Sequence, residues 1–123
     1  MILKDNFYTI REIRFEADEI NATIELNPAH KIFKGHFPGL PIVPGVCMVQ
    51  IQKELIEKEL SRKIILKKAT NIKFLSIINP LVINIINYQI KILKKKENII
   101  ISSKIYCNET IYFKMDCEYE ILN

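Results

Sequence analysis

No stretch of this 123-residue chain holds the roughly 18 uninterrupted apolar residues of a membrane span. Its start, Met1-Ile2-Leu3-Lys4-Asp5, has no long apolar run of the signal-peptide kind. Membrane insertion is not expected, and a soluble cytoplasmic protein is. Glycine and proline are scarce, with 3 and 5 residues, which excludes collagen-like and disordered low-complexity chains. Cys47, Cys107 and Cys117 are odd in number and show neither CxxC nor ligand spacing. Neither a disulfide framework nor a zinc site is indicated, and reduced thiols are the expectation. Basic residues exceed acidic ones only enough for a formal charge of +4, which permits an acidic partner but does not demand nucleic acid. No linker, repeat or composition shift divides the chain, so one domain over residues 1–123 is expected.

What the chain does have is β-branched and aromatic residues in runs. Phe7 to Glu16 and Ala22 to Leu26 read as two strands of an opening hairpin with its turn at Asp18 to Asn21. From Asn27 to Pro44 the pattern breaks. Pro28, Gly35, Pro38, Gly39, Pro41 and Pro44 crowd a stretch that reads as a shaped loop with neither helix nor central strand. Gly45 to Leu60 then carries Val46, Val49, Lys53, Ile56 and Leu60 at steps of three and four, with Pro44 suited to the first helical position. Cys47, Met48 and Ile51 extend the apolar surface nearly all round, which predicts a buried helix covered by a sheet. Ala69 to Ile78, Leu81 to Leu93, Asn98 to Cys107 and Thr110 to Leu122 read as four strands. Turns fall at Asn79-Pro80, Lys95 to Glu97 and Asn108-Glu109. The last strand alternates cleanly, with Ile111, Phe113, Met115, Cys117, Tyr119 and Ile121 on one face. The expected fold class is α+β, a strongly curved antiparallel sheet wrapped around one long helix.

The specific segment is Gly35-His36-Phe37-Pro38-Gly39-Leu40-Pro41-Ile42-Val43-Pro44-Gly45-Val46. Gly35 and Gly39 permit tight turns beside His36, prolines stiffen the loop, and the helix offers first-turn N–H groups from Gly45 onward. An imidazole fixed near a helix N-terminus is an acid/base candidate; the plainer reading is a loop histidine with a satisfied hydrogen bond.

This segment resembles the signature of the hotdog-fold 3-hydroxyacyl-[acyl-carrier-protein] dehydratases, Gly-His-Phe-Pro-Gly-x-Pro-x-x-Pro-Gly-Val before the central helix, position for position. Lys73-Phe74 and Pro80 extend the match more loosely. The resemblance implies a homodimer with joined sheets, or a higher oligomer of dimers, and an acyl tunnel at the interface. It makes His36 the base that removes the α-proton, with Gly45, Val46 and Phe37 binding substrate. It also implies acyl carrier protein as the partner that delivers it, no dissociable cofactor and no metal. The family's helix carboxylate, five residues after the Gly of Pro-Gly-Val, maps onto Gln50. An amide has no acidic proton to deliver.

Three readings follow. His36 acts alone while Gln50 orients the leaving hydroxyl; or Glu54, one turn on and about 40° further round, supplies the carboxylate; or the protein is a thioesterase or a non-catalytic acyl-binding subunit paired with an active homologue. Elsewhere, His30 reads as a surface histidine, Lys94 to Lys96 and Lys67-Lys68 as solvated charge, and Glu54 otherwise as a solvated side chain. Phe33, Phe37 and Phe74 are candidates for the tunnel wall, although core packing is the commoner role of such residues. Lys31 and Lys34 beside the loop are candidates for docking an acidic carrier, with ordinary solubilising lysines as the alternative.

Overall fold

The structure is a computed structural model that describes residues 2–35 and 39–122, including their side chains except those of residues 35, 94 and 95. His36, Phe37 and Pro38 lie outside the described residues.

Six strands form one sheet: β1 (Tyr8–Glu16), β2 (Glu19–Leu26), β3 (Ile64–Phe74), β4 (Ile85–Lys95), β5 (Asn98–Cys107) and β6 (Thr110–Ile121). Their spatial order is β1-β2-β4-β5-β6-β3, and every pairing is antiparallel. Two helices interrupt the strands, α1 (Ile32–Gly35) and α2 (Gly45–Leu60). The long helix carries the chain from β2, near one edge, to β3 at the other. The chain then fills the middle with three strands joined by short turns.

Period-two alternation decides which face is wet. Ile86, Tyr88, Ile90 and Ile92 of β4, Ile99, Ile101, Ser103 and Ile105 of β5, and Phe113, Met115, Cys117 and Tyr119 of β6 are buried. The α2 residues turned to this surface are Cys47, Met48, Ile51, Gln52, Leu55 and Ile56. The tyrosine hydroxyls on this inner face are paired, since Tyr88 Oη donates to the Met48 carbonyl at 2.9 Å and Tyr119 Oη accepts from Gln52 Nε2 at 3.0 Å.

Several expectations shift. The first hairpin turn is Ala17-Asp18, both at positive φ (50° and 58°), so Glu19 to Asn21 belong to β2. Pro44 is the residue before the helix, with extended ψ of 144°, and its carbonyl accepts from Cys47 N–H (3.0 Å) and Met48 N–H (3.2 Å). The helix is not covered all round, because Val46 is 68% exposed. The loop contains a helical turn, α1, where no proline falls between Pro28 and Pro38. Phe33 anchors this turn against Phe7, ring centroids 5.3 Å apart. β3 starts five residues early and stops at Phe74, and β4 starts at Ile85. Between them Asn79 caps a turn, its Oδ1 accepting from Leu81 N–H at 2.9 Å.

Candidate active site

Gly39 has φ of +81°, a conformation that favours glycine, and it turns the chain after the His36 segment. From there Leu40 to Pro44 approach α2. Val43 is buried and its N–H donates to the Ile78 carbonyl at 2.9 Å, pinning the entry to the helix against the segment that follows β3. The approach ends at an α2 N-terminus with no side-chain cap. The N–H groups of Gly45 and Val46 have no acceptor within the helix, and the helix dipole adds partial positive charge there. Gly45 sits beneath the ring of Phe74. A β-carbon at position 45 would lie 2.7 Å from Cε1 and from Cζ of that ring, so only glycine fits without moving it. Phe74 is 57% exposed and leans on Phe113, centroids 5.4 Å apart.

Val46, Gln50 and Glu54 follow at steps of four along one flank of α2. Gln50 is half-buried, and its Nε2 donates to Glu54 Oε2 at 2.8 Å. Glu54 is not a solvated side chain. Oε2 also accepts from Leu3 N–H at 2.8 Å, while Oε1 accepts from Lys4 N–H at 2.9 Å and Tyr8 Oη at 3.0 Å. The carboxylate therefore ties the turn before β1, the start of β1 and the middle of α2 together. Burial first, and the neighbouring carboxylate second, push the Tyr8 phenol far above its ordinary range.

The structure thus places Gly45, Val46, Gln50 and Glu54 on α2, with Phe74 over the first of them, while His36 and Phe37 lie outside the described residues. Phe33 is core, packed on Phe7. His30 is only partly exposed. Its Nδ1 accepts from Ile32 N–H at 3.1 Å and its ring meets Phe7 edge-on at 5.3 Å, the work of a turn residue. Lys31 and Lys34 are exposed. No group of three or more His, Cys, Asp or Glu side chains among the described residues is arranged to hold a metal ion. No helix among them is long and apolar enough to cross a membrane. Two depressions, of about 550 and 660 Å³, lie around Lys96, Glu97 and Asn98, beside Arg62 just past the far end of α2. Gly45 and the segment leading into α2 lie at the opposite end of that helix.

One buried polar cluster lies apart from the motif residues. Gln52 is fully buried under α2, where its Oε1 accepts from the Ser103 hydroxyl and its Nε2 donates to Tyr119 Oη. The signal was present: a glutamine within the apolar series Met48, Ile51, Leu55 must find partners inside the core. Beside it, burial raises the Cys117 thiol to about 12, so it is an inert neutral group.

Comparison with known proteins places this geometry. The solved dehydratase heterocomplex ApeI:P from Xenorhabdus doucetiae superposes with a TM-score of 0.72 at 18% identity, covering 90% of this chain and 96% of that one. A hypothetical thioesterase protein with coenzyme A from Streptococcus pneumoniae superposes at 0.67 and 9% identity, over 94% of this chain and 86% of the other. Both similarities concern the fold, the hotdog arrangement of a curved sheet around one helix. In sequence, the 3-hydroxyacyl-[acyl-carrier-protein] dehydratase FabZ of Clostridium acetobutylicum is 34% identical over 73 residues, 54% of this chain and 50% of that protein. The match spans about half the length of that curated relative. The model of the ApeI-like family, described as ApeI dehydratase, matches residues 12–113. That span takes in the His36 loop, α2, strands β2 to β5 whole and parts of β1 and β6, and this chain belongs to the ApeI-like dehydratase family.

Proposed function

We propose that this protein eliminates water from 3-hydroxyacyl thioesters carried on acyl carrier protein, yielding trans-2-enoyl thioesters. The observation that carries the reading is the junction of the Gly35–Val46 segment with an uncapped helix N-terminus at Gly45, kept open to close approach by the absence of a side chain there. The thioester carbonyl would lie at this N-terminus, where the Gly45 N–H and the helix dipole stabilise the enolate-like charge that builds as the α-proton leaves.

In this reading His36 takes the α-proton. The C2–H electron pair forms the C2=C3 bond, the C3–O bond breaks, and the proton passes from the imidazolium to the departing oxygen to complete water. Gln50 accepts a hydrogen bond from the 3-hydroxyl and orients it. No dissociable cofactor takes part, and a cytoplasmic setting suits reduced cysteines.

Two copies are needed. The free edge of the sheet is β3, exposed at every residue after Ile64, with Ile65, Leu66, Ile72 and Phe74 among its exposed apolar side chains. The other edge, β1, is blunted by charge, with Arg11 and Arg14 ion-paired to Glu25 and Glu12. A second copy joined along β3 would cover the apolar edge and bring His36 of one protomer to Gln50 of its partner. Lys31 and Lys34 give the loop a basic rim suited to an acidic carrier.

A second reading, acyl-thioester hydrolysis, is favoured by one observation, the amide at the position of the family's carboxylate. A panel of carrier-bound 3-hydroxyacyl thioesters separates the two. Enoyl product without free thiol supports the dehydratase; thiol release without enoyl product supports the hydrolase. Acyl binding without turnover supports a non-catalytic subunit.

A further inference from the structure

We propose that Glu54 is the positioning residue for Gln50: its carboxylate, fixed by the chain before β1 and by Tyr8, holds the Gln50 amide with its nitrogen toward Glu54 and its oxygen turned toward the substrate. The inference rests on the dehydratase reading for what the amide does, though not for how it is held.

The geometry is specific. Glu54 accepts four hydrogen bonds, two on each oxygen, from Leu3 N–H, Lys4 N–H, Tyr8 Oη and Gln50 Nε2, all between 2.8 and 3.0 Å. Two of the donors are backbone groups that cannot rotate away, and the third belongs to a tyrosine only 1% exposed. The carboxylate is thus held from outside the helix, and the position of its oxygens does not depend on Gln50. An amide beside such a group has one favourable orientation, because turning its oxygen toward a carboxylate would oppose two acceptors with no proton between them. At the position where the resembled family has a carboxylate, Gln50 therefore presents an acceptor oxygen. It keeps the hydrogen-bonding polarity of the carboxylate while giving up its proton. Both Glu54 oxygens are engaged by the chain before β1, by Tyr8 and by Gln50. The effect of Glu54 on the reaction passes through the amide.

A double-mutant cycle on carrier-bound 3-hydroxyacyl substrate tests this. Glu54→Ala is expected to lower kcat roughly tenfold, with KM changed less than twofold, the scale of one misplaced hydrogen bond. Gln50→Ala is expected to lower it comparably, and the double variant no further than Gln50→Ala alone. Additive losses would overturn the proposal, since a purely structural Glu54 would weaken either background equally. Should Glu54→Ala fail to fold, the wild-type protein still decides. The Gln50 side-chain amide resonances, assigned by their loss in Gln50→Ala, should show nuclear Overhauser contacts to the Glu54 side chain. Rapid solvent exchange and no such contact would refute the arrangement. If those contacts are present but no 3-hydroxyacyl thioester is dehydrated, the functional reading fails while the Glu54–Gln50 geometry stands.

Discussion

The ring of Phe74 occupies the space that a side chain on residue 45 would need, 2.7 Å from where the β-carbon would stand. This couples the last residue of an edge strand to the first residue of the buried helix, at the point where the thioester is expected to bind. Gly45→Ala should displace the ring and not unfold the protein, because the clashing atoms are at the outer end of a half-exposed side chain and alanine favours helix by up to about 1 kcal/mol. Thermal midpoint should move by only a few degrees while kcat/KM falls at least tenfold. Adding Phe74→Ala should recover part of the activity, and steady-state kinetics on the two variants checks it.

Gln50→Glu would set a carboxylate where the amide now meets Glu54 at 2.8 Å. Two carboxylates that close share a proton, so the variant regains a neutral acid at the family's position. Dehydration should be kept or raised, and the pH–rate profile should acquire an ionisation that wild type lacks. Gln50→Ala should cost roughly tenfold to a hundredfold. A profile of unchanged shape in Gln50→Glu would argue against the placement of this side chain beside the substrate.

Beneath the helix, Gln52→Leu removes the hydrogen bonds that the amide makes with the Ser103 and Tyr119 hydroxyls, leaving Ser103 only a long contact of 3.4 Å to the Met115 carbonyl. Leaving buried polar groups unpaired costs about 1–3 kcal/mol each. Urea denaturation should show a loss of about 2–4 kcal/mol, and adding Ser103→Ala should relieve part of it.

Much of this architecture was legible in the sequence. Gly45 to Leu60, Asn98 to Cys107 and the alternation of the last strand fall where periodicity puts them, because each has one buried face and a turn residue at its boundary. The limits of β3 are not legible, because an edge strand exposed on both faces has no alternation to read; Lys67 and Lys68 look like loop when β6 is not in view. Gly45 and Gln50 could be named from the dehydratase-like motif. The anchoring of Glu54 could not, since its partners Leu3, Lys4 and Tyr8 lie about 50 residues away and meet it only in the folded chain.

Alkaline pH offers a stability test. Burial raises the Tyr8, Tyr88 and Tyr119 phenols and the Cys117 thiol, the last from 9.0 to about 12. The unfolded chain releases these protons at ordinary values while the folded chain retains them, so stability is full below about pH 9 and falls as pH rises toward 12 and beyond. Tyrosinate absorbance from these three residues should appear together with the loss of far-UV ellipticity. Ionisation of all three in a chain that keeps its secondary structure would contradict their burial.

The central claim is that His36 moves the protons of a dehydration, and the most direct measurement compares wild type with His36→Ala on one carrier-bound 3-hydroxyacyl substrate, following enoyl formation after circular dichroism has shown both to be folded. The account predicts that the variant loses roughly a hundredfold to ten-thousandfold in rate, together with the acid limb of the pH–rate profile. A folded His36→Ala variant that dehydrates at close to the wild-type rate would contradict it.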